Sequence, residues 1–229
     1  MNELKKSDRA PYLMCADDVE IADGVSIGAF VVLYPGTRLG RGARIEHGAI
    51  IGRPSQSNPG SVAQPTVQQP TDIGERTIVG AYAIVCSGVT AGADAYIGDH
   101  ALIREGARLG EKSSVGFSSS VGSNCVIGEA TRIQGFCGFP AGTIIESNCA
   151  IGPYVVALAT TFSSKGKMPT GPVVIRKGAR IGSAAQLMPG VEIGAGATVG
   201  AASVVTRSVQ SGVTVHGTPA SATGTTGNQ

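Results

Sequence analysis

Residues 73–162 read, cut into sixes, IGERTI VGAYAI VCSGVT AGADAY IGDHAL IREGAR LGEKSS VGFSSS VGSNCV IGEATR IQGFCG FPAGTI IESNCA IGPYVV ALATTF. Fifteen units follow one another without insertion or deletion. The first position of every unit is apolar, from Ile73 to Ala157, and the fifth is small, from Thr77 to Thr161. Glycine dominates the second position, as at Gly74, Gly80, Gly98 and Gly116. Self-similarity at a fixed short period is read before any local pattern.

Alternate side chains of a strand face one way. Position five and position one of the next unit therefore point to the same side, with one outward residue between them. Small and large apolar residues fill one interior, and glycine lets the chain turn between short strands. Each unit is a strand plus a corner, which predicts an all-β solenoid.

The same pattern precedes the run at Ile21, Ile27, Leu33, Leu39, Ile45 and Ile51, and Cys15 with Val19 starts it one unit earlier. It resumes at Ile175, Ile181, Leu187, Ile193, Val199 and Val205, with Val209 as the small partner of the last unit. Two register breaks, 53–72 and 160–174, read as inserted loops. The first carries four prolines and the second is basic, with Lys165 and Lys167. Residues 1–14 read as a cap over the open end of the stack, where strand edges would otherwise be unpaired. Residues 15–220 are the repeat domain, and the Gly, Ser and Thr-rich 221–229 reads as a disordered tail.

Composition narrows the class. The 229 residues carry 18 basic and 16 acidic side chains and no stretch apolar enough to span a membrane. No apolar segment follows Lys5, Lys6 and Arg9, so a secretory signal is not expected and the cytoplasm is the expected location. Cys125, Cys137 and Cys149 occupy small interior positions, where a reduced thiol acts as a small hydrophobe. The five cysteines form neither a disulfide framework nor a Cys-x-x-Cys pair.

The repeat, with its ending IGAGATVGAASVVTRSVQSGVTVHGTPA over 193–220, resembles the hexapeptide-repeat acyltransferases. The likeness covers roughly 19–220. IGDHALIREGARLG and GPVVIRKGARIGSAAQLMPGVEIG resemble a branch that acylates sugars, often amino sugars on nucleotide carriers, and IGRPSQ is faintly similar to the lipid A acyltransferase branch. The resemblance implies a single-stranded left-handed parallel β-helix. Its three-fold closure makes twenty-seven units about nine triangular coils, roughly 43 Å long. It also implies a homotrimer and acetyl-CoA or another acyl-CoA as co-substrate. Thr160, Thr161 and Phe162 stand where sugar-branch relatives often place Thr-Asn-Asp.

Acyl transfer needs a nucleophile, a polarised carbonyl and a held thioester. His100 lies on an outward corner, and an eighteen-residue coil puts Tyr82, His100, Ser118, Phe136 and Tyr154 in one column. So many aromatics on one outward column point to a covered surface or cleft. His100 is the candidate general base, and an equal reading is that it packs or hydrogen-bonds at an interface. In related amino-sugar enzymes the amine can lose its proton without a base. Asp99 and Glu105 are expected nearby at outward corners, placed to orient or replace His100 but more simply read as solvated corners; Asn124 and Asn148 could hydrogen-bond an acceptor or serve as turn residues. His47 is the second candidate base, left unphased by the 22-residue step from Ile51 to Ile73.

Up to Phe162 the chain carries twelve basic and fifteen acidic residues, and beyond it six and one. That basic end, with Lys165, Lys167, Lys177, Arg180 and Arg207, suits the phosphates of CoA. The resemblance puts His216 at the cofactor end, and the nearly bare corners Ser183, Ala184, Ala201 and Ala202 leave room for a pantetheine arm. An acyltransferase is the favoured reading. A non-catalytic scaffold and a γ-carbonic-anhydrase-type metalloenzyme are the alternatives, the latter needing a three-histidine site from His47, His100 and His216. No metal and no nucleic-acid partner are expected, the basic end lacking interleaved aromatics.

Overall fold

The structure is a computed structural model and describes residues 4–56, 68–159 and 170–222. Those residues form three parallel sheets, of 11, 9 and 11 strands, wound as a left-handed β-helix of about 10 turns. Sheet 1 contains Leu102–Ile103, sheet 2 contains Arg108–Leu109 and sheet 3 contains Ser114–Val115. The eighteen-residue coil is explicit in the register: Tyr96 pairs with both Ile78 and Ser114.

Among the described residues from Leu33 to Val205, position one is buried throughout and position five everywhere but at Ser55. A buried Ile or Leu stabilises the fold by about 1.5–3 kcal/mol over an exposed one. Position five adds hydrogen bonds that span coils. Thr77 Oγ1 donates to the Gly92 carbonyl at 2.7 Å and accepts from the Ala95 N–H. Thr131 Oγ1 does the same toward Glu146 and Cys149. The thiols of Cys125, Cys137 and Cys149 donate to carbonyls of Pro140, Gly152 and Arg176. The interior cysteines thus stand in for threonine as well as filling space, and burial raises the pKa of each.

The stack exceeds the twenty-seven expected units at both ends. Leu13–Cys15 begins the parallel ladder of sheet 1 and pairs antiparallel with the edge strand Lys5–Ser7, a hairpin at the N-terminal end. At the other end, Val209 pairs with Ile193 as a position-one residue instead of serving as the small partner of Val205, so that coil is two residues short. Thr214–His216 then adds a strand to sheet 3, and Ser221–Ala222, expected in the tail, pairs antiparallel with it. Residues 223–229 lie outside the described residues.

Strand structure also trims the expected loops. Arg53 ends the strand Ile50–Arg53, Thr71 begins Thr71–Ile73, and Val174 begins Val174–Ile175 behind a fully buried Val173. The first insertion leaves from sheet 1 beside a register shift, where Cys86 pairs with Arg53, and returns to sheet 2 with the ladder in register.

Candidate active site

Turning from one sheet to the next requires a left-handed residue at position four of each unit, and this produces three edges along the prism. The edge between sheets 3 and 1 carries Tyr12, Phe30, Gly48, Tyr82, His100, Ser118, Phe136, Tyr154, Ala184 and Ala202, all at positive φ. The predicted column is therefore real. Its rings form three groups. Tyr12 stacks on Phe30 at 4.6 Å, Tyr82 on His100 at 5.4 Å, and Phe136 on Tyr154 at 5.0 Å. They are exposed, Tyr82 at 54% and Tyr154 at 57%.

His47 belongs to the same edge, a position the sequence left open. Its ring meets Tyr82 edge-on at 5.5 Å, and its carbonyl accepts the Tyr82 N–H at 3.0 Å. Phe117, which the periodic reading passed over because it sits one residue before the column, packs edge-on against Phe136 at 4.9 Å. Ser118 leaves a notch between His100 and Phe136. Asp99 lies on this edge too, but its Oδ1 accepts the Ala81 N–H at 2.8 Å. It braces the corner, and among the described residues no carboxylate bonds the His100 ring.

Glu105 and Asn124 are elsewhere. They lie on the edge between sheets 1 and 2, across sheet 1 from His100, and five extended residues from His100 to Glu105 span roughly 16 Å. Glu105 is also no solvated corner: it is 6% exposed, with Arg104 Nε and Ser123 Oγ both donating to Oε2 at 2.9 Å. Burial pushes its carboxyl upward, but the hydrogen bonds from Arg104 and Ser123 and the Arg104 charge outweigh that and leave it below the usual range. Asn148 sits on the third edge, at positive φ among Lys112, Ala130 and Gly178.

The residues expected to hold a cofactor divide in the same way. Ser183, Ala184, Ala201 and Ala202 continue the aromatic edge toward the C-terminal end, exposed and nearly bare. His216 stands there too, its Cβ above Gly200, six coils from His100. Arg180 points outward from sheet 3 into a groove of about 400 Å³ that Arg132, Gln134 and Thr198 also line. Lys177 is on the third edge, next to Arg176, and Arg207 on the edge between sheets 1 and 2. Lys165 and Lys167, like Thr160, Thr161 and Phe162, lie outside the described residues. Among the described residues no group of three or more His, Cys, Asp or Glu side chains is placed to hold a metal ion, and no helix is long and apolar enough to cross a membrane.

Fold and repeat together make this chain a left-handed β-helix built from six-residue units, similar to the hexapeptide-repeat proteins. The bacterial transferase hexapeptide family model, of six repeats, matches residues 18–53 and 172–207. Serine acetyltransferase of Buchnera aphidicola subsp. Acyrthosiphon pisum is 40% identical over 80 residues, 34% of this chain and 28% of that protein. The enzyme of the same name from Buchnera aphidicola subsp. Schizaphis graminum is 39% identical over 79 residues, 34% of this chain and 29% of that protein. The matches thus span less than a third of those relatives. Among solved structures, Arabidopsis UDP-N-acetylglucosamine acyltransferase superposes with a TM-score of 0.64 at 17% identity, over 94% of this chain and 67% of that one. At that identity the likeness is one of fold.

Proposed function

We propose that the protein is an acyltransferase that moves an acetyl or other short acyl group from acyl-CoA to an amine or hydroxyl of a small acceptor, an amino sugar or nucleotide-linked sugar. The observation that carries this is the edge between sheets 3 and 1, where His47, Tyr82 and His100 adjoin a notch at Ser118 and the same edge runs on into the bare corner of Ser183, Ala184, Ala201 and Ala202. Donor and acceptor can lie along one edge. The two serine acetyltransferases support acetyl transfer over the matched third of the chain.

The chemistry is direct attack in a ternary complex. The acceptor nitrogen or oxygen adds to the thioester carbonyl while the His100 imidazole takes its proton and a backbone N–H polarises the carbonyl oxygen; the adduct then collapses with cleavage of the C–S bond, and the imidazolium returns the proton to the departing CoA thiolate. Stacking on Tyr82 fixes the imidazole plane without using a ring nitrogen. Tyr154 and Phe136 offer an apolar wall to the acceptor. His216, on this edge, is assigned to the CoA nucleotide, and Lys165, Lys167, Lys177, Arg180 and Arg207 to the basic end whose field favours its phosphates. No metal has a role in this scheme.

A homotrimer belongs to the same reading. Sheet 1 turns Val32, Ile50, Ile84, Leu102, Val156 and Val204 outward, a face that a second copy would cover. The five unpaired cysteines support a reducing, cytoplasmic location. The test incubates the protein with acetyl-CoA and a panel of nucleotide amino sugars, free amino sugars and L-serine, with products followed by mass spectrometry. An acetylated product from one class identifies the acceptor. No product with any, together with no binding of acetyl-CoA at millimolar concentration, would leave the scaffold reading.

A further inference from the structure

The edge between sheets 1 and 2 holds a cleft of about 390 Å³, and the aromatic edge does not account for it. Its floor is Gly88 and Gly106, both at positive φ. One wall is the returning end of the first insertion, Gln69 and Pro70, and this wall is tied down. The Gln69 N–H donates to Ser87 Oγ at 2.8 Å, and Gln68 Nε2 donates to the Pro35 and Gly52 carbonyls. The opposite side is Ser123 and Asn124, with Glu105 beneath.

Two features of the cleft exceed what the fold needs. Among the described residues at positive φ on this edge, glycine stands at Gly36, Gly88, Gly106, Gly142 and Gly190, and Asn124 alone departs. Its amide lies across Gly106, where an added Cβ would stand 2.5 Å from Asn124 Oδ1. Asparagine tolerates left-handed geometry, but glycine serves the corner at no steric cost. Glu105 is the second feature. It is the most deeply buried charged residue among those described, set directly under the cleft, and Arg104 and Ser123 both donate to Oε2. The Cys86 thiol and the Glu105 N–H also act on this carboxylate. A charge taken out of water at a corner that could have stayed solvated, and set in the wall of a cleft, makes the cleft a candidate binding site.

The surroundings set the ligand's chemistry. Arg38 is paired with Asp72 at 3.2 Å and Glu105 with Arg104, which stands outside the lining, so every charged side chain of the cleft already has an opposite charge. A carboxylate oxygen, an amide and the acceptor face of a serine hydroxyl call for a ligand rich in O–H donors, and Pro70 supplies an apolar patch for a ring face. The volume falls at the small end of ligand pockets. We propose that this cleft is a second small-molecule site, distinct from the aromatic edge, that binds a neutral polyhydroxylated ring such as an uncharged monosaccharide through Glu105 and Asn124. It stands independently of the acyl-transfer reading.

The test titrates the full chain with D-glucose and N-acetyl-D-glucosamine, with cationic D-glucosamine and anionic glucose 6-phosphate as charge controls, read by ligand-observed NMR. The variants are Asn124→Gly, which restores the residue the edge uses elsewhere and is expected to melt like wild type, and Glu105→Gln, which keeps shape and removes charge. At least one neutral sugar is expected to bind more tightly than both charged ones. Each variant is expected to weaken it about tenfold, the loss of one charge-assisted or well-placed hydrogen bond, while His100→Ala leaves it unchanged. Absence of binding by either neutral sugar, tighter binding of a charged sugar that persists in His100→Ala, or affinity that survives both variants would overturn the assignment. So would affinity that falls in His100→Ala instead, which would put the sugar on the aromatic edge.

Discussion

Tyr82 lies face to face with His100, ring centroids 5.4 Å apart and planes 8° from parallel, and His47 meets the same tyrosine edge-on. The stacked imidazole is held by its face, so both nitrogens remain free for proton transfer. Replacing His100 by alanine is expected to lower kcat for acetyl transfer by roughly 10²–10⁴, the usual worth of a positioned base. Tyr82→Phe should be nearly silent because the ring is kept, and His47→Ala should cost less than His100→Ala. Steady-state rates on the acceptor found by the product screen decide it. Turnover of His100→Ala within a few fold of wild type would mean that the acceptor loses its proton without this base.

Glu105 makes stability depend on acid. Its folded carboxyl titrates below the usual 4.5 because the Arg104 and Ser123 bonds outweigh the penalty of burial. A carboxyl depressed by folding stabilises the native state above its unfolded pKa, and that contribution disappears as pH falls through the folded value. Wild type is therefore expected to be more stable than Glu105→Gln near neutral pH, and the two should converge as pH drops below about 4.5. Thermal melts across that range check it. A gap that persists undiminished in acid would mean that packing, not charge, holds Glu105 in place.

Much of this was legible in the sequence because the interior of a solenoid is periodic. The column from Tyr82 to Tyr154 followed from counting eighteen, and the structure holds it as counted. His47 escaped because an insertion of uncounted length stood between it and Tyr82. Counting the 22-residue step as one six-residue unit plus an inserted sixteen would have phased it. Glu105 and Asp99 were grouped with His100 by nearness in sequence, yet a strand separates His100 from Glu105, and Asp99 spends its carboxylate on the Ala81 N–H. Sequence periodicity fixes which way a side chain points; it does not say what the side chain then bonds. The cleft beneath Gln69 and Pro70 needed three coils and a loop end at once, and no local pattern encodes that.

Two glycines separate close packing from backbone freedom. A Cβ on Gly98 would stand 2.5 Å from the Phe117 nitrogen and 2.8 Å from the Gly116 carbonyl carbon, backbone atoms with nowhere to go. Gly178 is at φ +71° with nothing within 4 Å of the same added atom. Gly98→Ala is expected to cost more than about 2 kcal/mol by overpacking between coils. Gly178→Asn should cost less than about 1 kcal/mol, because Asn148 already holds the corner one coil before it. Urea unfolding of the pair measures the contrast. Equal losses would mean that left-handed geometry, not coil spacing, is what these glycines supply.

The outward face of sheet 1 predicts assembly. Leu102 is half-buried in the single chain with Ile84 beside it on the neighbouring coil. If three copies cover this face, Leu102→Glu places a charge in an apolar contact and should shift sedimentation from trimer toward monomer. Wild type sedimenting as a monomer would remove the trimer from the proposal.

The bare stretch of the aromatic edge predicts where CoA lies. Ser183, Ala184, Ala201 and Ala202 are exposed and small at four successive places on two neighbouring coils. The hydrogen bond from the Ala202 N–H to the Ser183 carbonyl, 2.8 Å, binds those coils together. Ala201 is not at positive φ, so a large side chain there is free of backbone strain. Ala201→Trp is therefore expected to melt like wild type but to weaken acetyl-CoA binding at least tenfold, by filling the strip the pantetheine arm would occupy. Calorimetric titration with acetyl-CoA, run beside a thermal melt, separates the two effects. Unaltered binding would place the cofactor elsewhere, with the Arg132 and Arg180 groove on sheet 3 the next surface to test.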